Sequence, residues 1–172
     1  FVSPGDDVEF RRITLTNQSD RPRHIELTSY LELAMAPHNA DRQHPAFNKL
    51  FIQTEALPEL EALIAYRRKR SPEDQPVFVG HRMTSHGRTQ TPWQFETDRM
   101  RFLGRHRSPE DPAALETDLS NSEGHVLDPV FSVRRLEALE PGQSVELSMV
   151  LCAADTREEV LRLLEKYSDG QA

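Results

Sequence analysis

The residues able to do chemistry concentrate in two segments. One is Phe95-Glu96-Thr97-Asp98-Arg99, followed at once by Phe102-Leu103-Gly104-Arg105. It sets acids, arginines and aromatic rings beside a glycine. Arginines and carboxylates grip sugar hydroxyls, and aromatic faces stack on sugar rings. Glu96, Asp98, Arg99 and Arg105 are therefore the candidate substrate-binding residues. A structural turn explains the same residues: Glu96 and Asp98 would pair with Arg99 and Arg105, and Gly104 would take a positive φ. The other segment runs from His44-Pro45-Ala46-Phe47 into Lys49 and on to Glu55.

No catalytic residue is nominated. Glycoside chemistry needs two carboxylates flanking one bond. Glu55, Glu96 and Asp98 are available, but sequence cannot bring any two to that separation. There is no GxSxG, and Cys152 sits on an apolar strand, which reads as a buried, inert thiol. No phosphate-binding glycine loop is present. His38 and His44 flank Asp41 without HExxH or a cysteine partner, so no metal and no cofactor is expected. Arg67-Arg68-Lys69-Arg70 is followed by Glu73 and Asp74 and has no aromatic interleaving, so it reads as a solvated loop.

The formal net charge of -7 argues against a nucleic-acid partner. A mean hydropathy of -0.64 implies a charged surface, or a face that something else covers. Three lysines leave eighteen arginines among the 21 basic residues. No apolar run approaches the roughly 20 residues of a membrane span. There is no signal peptide, so no membrane contact by this chain is expected. The chain opens Phe1-Val2-Ser3, without a methionine, and reads as a fragment.

The elements that must position these residues are mostly strands. Asp7 to Asn17 carries Val8 and Phe10, then Ile13 and Leu15, and a bulge near Arg11 would bring both pairs to one face. Ile25 to Leu33 alternates with period two, which makes it the hairpin partner. Met35 to Pro45 reads as a loop. Phe47 to Glu55 and Leu60 to Tyr66 form a second hairpin. Short strands follow at Val77 to His81 and Trp93 to Thr97. Asp98 to Leu127 has the weakest signal, and a connection that long is functional or disordered. Pro129 to Leu139 and Val145 to Leu151 flank a tight turn. A helix capped at Thr156 closes the chain, with Gly170 as its stop. Strands in hairpins imply an all-β, antiparallel, two-sheet sandwich over residues 1–172, with a C-terminal helix.

Several segments in order resemble a known family: HPAFNKLFIQTE, LPELEALIAYRR with RSPED, FETDRMRFLGR, GHVLDPVFSVRR and LEPGQSVEL. The pattern is similar to one region of the cyclic β-1,2-glucan synthases. It resembles more loosely the N-terminal β-sandwich of the glycoside hydrolase family 94 phosphorylases. The resemblance implies a galactose-mutarotase-like supersandwich, packed on an (α/α)6 barrel that holds the catalytic acid. None of the barrel's motifs occurs here. It further implies an accessory role, homodimer contacts and loops reaching the sugar-acceptor end of a pocket, with Arg99 and Arg105 as the matching residues. The ligand would be a β-glucan or glucosyl acceptor. The parent would be an inner-membrane enzyme with this domain in the cytoplasm. An independent carbohydrate-binding module and a mutarotase-like enzyme are the rival readings.

Overall fold

The computed structural model describes residues 1–87 and 92–168. Its elements are β1 (Val8–Thr16), β2 (Arg23–Thr28), β3 (Leu31–Glu32), α1 (His38–Gln43), α2 (Pro45–Lys49), β4 (Ile52–Leu57), β5 (Ala62–Arg67), β6 (Phe78–Ser85), β7 (Gln94–Asp98), α3 (Arg99–Leu103), β8 (Pro129–Leu139), β9 (Ser144–Ala154) and α4 (Arg157–Lys166). The strands form two antiparallel sheets. The larger runs β1-β9-β6-β5-β4. In the smaller, β2 and β3 share one edge of β8, and β7 lies along the other. The expected stop at Gly170 lies outside the described residues.

The larger sheet is covered on both faces. One face meets the smaller sheet through Leu63, Ala65, Met83 and Leu147, packed with Phe131 and Val133. The other meets α4 through Ala62, Ile64, Val150 and Cys152, packed with Val160, Leu163, Leu164 and Tyr167. Helix α4 follows from its sequence: the Thr156 hydroxyl accepts from the Glu159 N–H (3.2 Å), and the apolar residues recur at helical spacing. Each fully buried aliphatic side chain on it contributes roughly 1.5–3 kcal/mol.

This double cover corrects two expectations. β1 pairs with β9, not β2, and without a bulge, from Val8 opposite Cys152 to Thr16 opposite Ser144. The slip in its apolar phase is a change of face. Val8 and Phe10 lie under α4, while Leu15 packs toward the smaller sheet. The turn after β1 is not a hairpin turn. Asn17 is buried, and its Nδ2 donates to the carbonyls of Leu139 (2.9 Å) and Arg21 (2.8 Å), handing the chain from one sheet to the other.

Two more differences have local causes. Phe47 is helical, not extended, because Pro45 opens α2 at its first position, where proline is preorganised. The loop before it contains α1. Asp98 to Leu127 is a packed cover rather than a free loop. Phe102, Leu103, Ala114 and Leu119 form a small core with Tyr30, and the buried Arg134 on β8 donates to the carbonyls of Thr117 (2.9 Å) and Ala114.

The sheets are also joined by a buried polar contact. His81 Nδ1 lies 2.9 Å from the Val150 carbonyl, which can only accept. Nδ1 therefore carries the proton, and Nε2 accepts from the Ser29 hydroxyl at 2.9 Å. Ser29 Oγ in turn accepts the Val133 N–H (3.0 Å), at the break along β8 between its pairing with β2 and with β3. Burial pushes His81 down to about 4, so it is neutral at pH 7.

Gly80 on β6 lies directly against α4. A Cβ there would lie 2.6 Å from Val160 Cγ1 and 3.0 Å from Leu164 Cδ1. Gly80→Ala is expected to destabilise the fold by about 1–3 kcal/mol through overpacking. Urea titration checks this, and Gly80→Val should be worse.

Candidate functional site

One end of the sandwich gathers both chemistry-bearing segments. Helix α2 is held by Asn48, whose Nδ2 donates to the carbonyls of Ala40 (2.8 Å) and His44 (3.0 Å). Helix α3 begins where Asp98 Oδ1 accepts the Met100 N–H (2.8 Å) and ends at Gly104, whose φ is 82°. Asp128, just before β8, ties the two helices together. Its Oδ1 pairs with Lys49 Nζ at 2.5 Å, its Oδ2 lies 3.7 Å from Arg99 Nη1, and its carbonyl accepts the Arg99 N–H at 3.0 Å. Arg99 Nε then reaches Glu32 Oε1 at 2.9 Å, and the Tyr30 hydroxyl donates to the same oxygen at 2.8 Å.

The result is a chain of alternating charge, Lys49–Asp128–Arg99–Glu32, ending on a phenol. The electrostatics follow from it. Burial, then the bond to Glu32, pushes Tyr30 up to about 12. The Tyr30 hydroxyl and Arg99 hold Glu32 below the usual carboxylate range. Glu32 raises Arg99. Tyr30, Glu32 and Arg99 are thereby each held in one charge state near neutral pH, which suits positioning rather than proton transfer.

The four candidate residues separate into two roles. Arg99 and Arg105 line one open groove of about 300 Å³ with Met100, Leu103, Gly104, His106 and Arg107. Arg105 is exposed and makes no ion pair with a described residue. Glu96 is 2% exposed and turned inward. Its Oε1 accepts the N–H groups of Thr97 and Asp98 (each 3.0 Å) and the Ser122 hydroxyl, while its Oε2 accepts the Ser120 hydroxyl (2.6 Å) and N–H (3.3 Å). Asp98 caps α3, and its ion partner is Arg101 at 3.8 Å. The structural turn thus forms with different partners from those expected, since Arg99 pairs with Glu32 and Asp128. Gly104 does take the positive φ.

The other carboxylate considered, Glu55, pairs with Arg157 at the start of α4 (2.6 Å). Glu55 and Glu96 are thus anchored to different layers. Cys152 is buried, and desolvation pushes its thiol up to about 12. Among the described residues, no three His, Cys, Asp or Glu side chains gather as a metal-ligand set. No helix among them is long and apolar enough to cross a membrane. Sequence reasoning missed Glu32 and Asp128. Glu32 occupies an ordinary polar phase of an alternating strand, and Asp128 sits in an unstructured approach to Pro129, so neither carries a local signal.

A family model for the glycosyl hydrolase 94 supersandwich domain matches residues 1–170. The chain belongs to that family. This supersandwich domain is 38% identical over 169 residues to the cyclic β-(1,2)-glucan synthase NdvB of Rhizobium meliloti (strain 1021), covering 97% of this chain and 6% of that protein. It is 28% identical over 170 residues to the N,N'-diacetylchitobiose phosphorylase of Vibrio proteolyticus, covering 98% of this chain and 20% of the phosphorylase. It is 26% identical over 167 residues to the solabiose phosphorylase of Paenibacillus borealis, covering 96% of this chain and 21% of that protein. The supersandwich is therefore a small part of each relative's length.

Proposed function

We propose that this chain is the accessory, non-catalytic supersandwich of a bacterial cyclic β-1,2-glucan synthase or a related glycoside phosphorylase. It packs on an (α/α)6 catalytic barrel of the same polypeptide, contributes to a homodimer, and presents Arg99 and Arg105 to the acceptor side of the sugar site. The parent is an inner-membrane enzyme, and this domain lies on its cytoplasmic side. The observation that carries the reading is the make-up of the groove at α3. It is lined by arginines, a histidine and apolar side chains, with no carboxylate among the lining residues. Such a groove can hold a hydroxyl-rich or anionic ligand, and its lining residues do not include the carboxylate pair that glycoside chemistry uses. Met100 in its lining is exposed at 62%, and Leu127, next to the Asp128 that holds Arg99, at 79%; both are apolar side chains suited to burial against a neighbour.

The test belongs in the full-length enzyme. Arg105→Ala is expected to raise KM for the glucosyl acceptor about tenfold with little change in kcat, as loss of one charge-assisted contact does. Met100→Asp with Leu127→Asp should loosen the domain and lower both activity and melting temperature. Glucan turnover by the 172-residue chain alone would overturn the reading. Calorimetric binding of sophorose by that chain alone, abolished by Arg105→Ala, would favour the independent carbohydrate-binding module.

A further inference from the structure

Helix α2 and the turn that follows it leave two apolar side chains in solvent. Phe47 is 47% exposed and Leu50 is 45% exposed, three positions apart. Cations are fixed beside them. The Arg70 guanidinium lies 4.9 Å from the centre of the Phe47 ring and 5.1 Å from that of Phe51. Arg68 donates from its side chain to the Leu50 carbonyl (3.2 Å) and from its backbone to the Phe51 carbonyl (2.8 Å). Charge alone makes Arg67 to Arg70 a solvated loop. Its docking onto α2 is what the fold adds.

The acids of this loop neutralise it only in part. Asp74 Oδ2 accepts the N–H groups of Arg70 (2.8 Å) and Ser71 (3.3 Å) and lies 3.7 Å from Arg67. Glu73 meets the Ser71 hydroxyl. Arg68, Lys69 and Arg70 are exposed and make no ion pair with a described residue, on a chain whose net charge is -7. Arginine over an exposed aromatic ring is the composition of an interface centre. Guanidinium groups beside it, in excess over the loop's two acids, select carboxylates, which they bind in two-pronged fashion.

We infer that this corner docks on an acidic, partly apolar surface elsewhere in the same polypeptide. The inference rests on the accessory reading above and names the chemistry of the partner. Charge complementarity picks the sign. Strength picks the tether. Three cations hold a free protein only weakly on a bilayer or a nucleic acid. A linked domain at an effective concentration of about a millimolar needs no more.

Hydrogen exchange on the full-length protein tests this. Arg68→Glu with Lys69→Glu and Arg70→Glu is expected to speed exchange of residues 45–51 and 67–74 at least tenfold. Raising salt should act in the same direction, with amides near Met100 and Leu127 unchanged. Lys69→Glu alone, at an exposed position, should move the same amides by less. Unchanged exchange at 45–51 and 67–74, with protection persisting near Met100 and Leu127, would overturn this inference and leave the accessory reading standing. Exchange at both places as fast as in an uncovered surface would overturn both. Protection of 45–51 that appears only on adding phosphatidylglycerol vesicles would also overturn it, by making the partner a bilayer.

Discussion

Glu96→Ala is expected to destabilise the fold by about 4 kcal/mol, because it leaves buried donors without an acceptor. Three backbone N–H groups, from Thr97, Asp98 and Ser120, point at this carboxylate, with the hydroxyls of Ser120 and Ser122. The hydroxyls can turn elsewhere, but the N–H groups cannot. The Ser120 N–H and the two hydroxyls tie the 120–122 segment to β7, so loss of the carboxylate should also loosen the cover over the smaller sheet. Glu96→Gln keeps one carbonyl oxygen but turns an NH2 toward a donor, and should cost about half as much. Urea unfolding measures both. A shift of this size is a large share of the 5–15 kcal/mol that holds a domain together. Unchanged stability with weakened sugar affinity would return Glu96 to the binding residues.

Acid should weaken the sandwich through His81. Its folded pKa of about 4 lies below the ordinary 6.5 of the unfolded chain. Between those values the unfolded state binds the extra proton, so stability rises with pH. The contribution is complete above about pH 6.5 and is lost as pH falls to about 4. A depression of this size amounts to about 3 kcal/mol. The cause is burial. Protonation would place a positive charge inside a core that includes Phe131, where no carboxylate among the described residues compensates it. His81→Leu is expected to lower stability at pH 7, where it strands Ser29 and the Val150 carbonyl. It should also flatten the acid limb relative to the parent chain. Unfolding midpoints from pH 4 to 7 for both proteins decide this, and parallel curves would sink the assignment.

Much of the fold was legible because it is local. The β4–β5 hairpin, the turn between β8 and β9 and the capped α4 all rest on period-two or helical spacing beside turn residues. The resemblance to the supersandwich family rested on short segments in order, and these were intact. What failed were inferences about partners. The phase slip in β1 was visible, but a bulge and a change of covered face give the same pattern. Only the sheet order, with α4 on one face and the smaller sheet on the other, distinguishes them. Phe47 alternated as a strand residue would, until Pro45 and the Asn48 side chain closed a helical turn around it.

The candidate site divides the same way. Residue types nominated Arg99, Arg105, Glu96 and Asp98, but the helix α3 that Asp98 caps was not read from the sequence. Which of them face solvent was not legible either. Glu96 lies inward because segment 120–122 folds back across β7, a contact spanning two dozen residues. The pairing of Arg99 with Glu32 spans 67 residues, and that of Lys49 with Asp128 spans 79.

From its amino acids alone, this protein determined its strands, its capped helix, its net negative charge and its family. Those depend on spacing along the chain, which backbone geometry reads directly. The tertiary structure decided which strands meet, which carboxylate is buried and which arginine stays free. Those depend on which distant residues share one small volume, and that is settled only when the whole core closes.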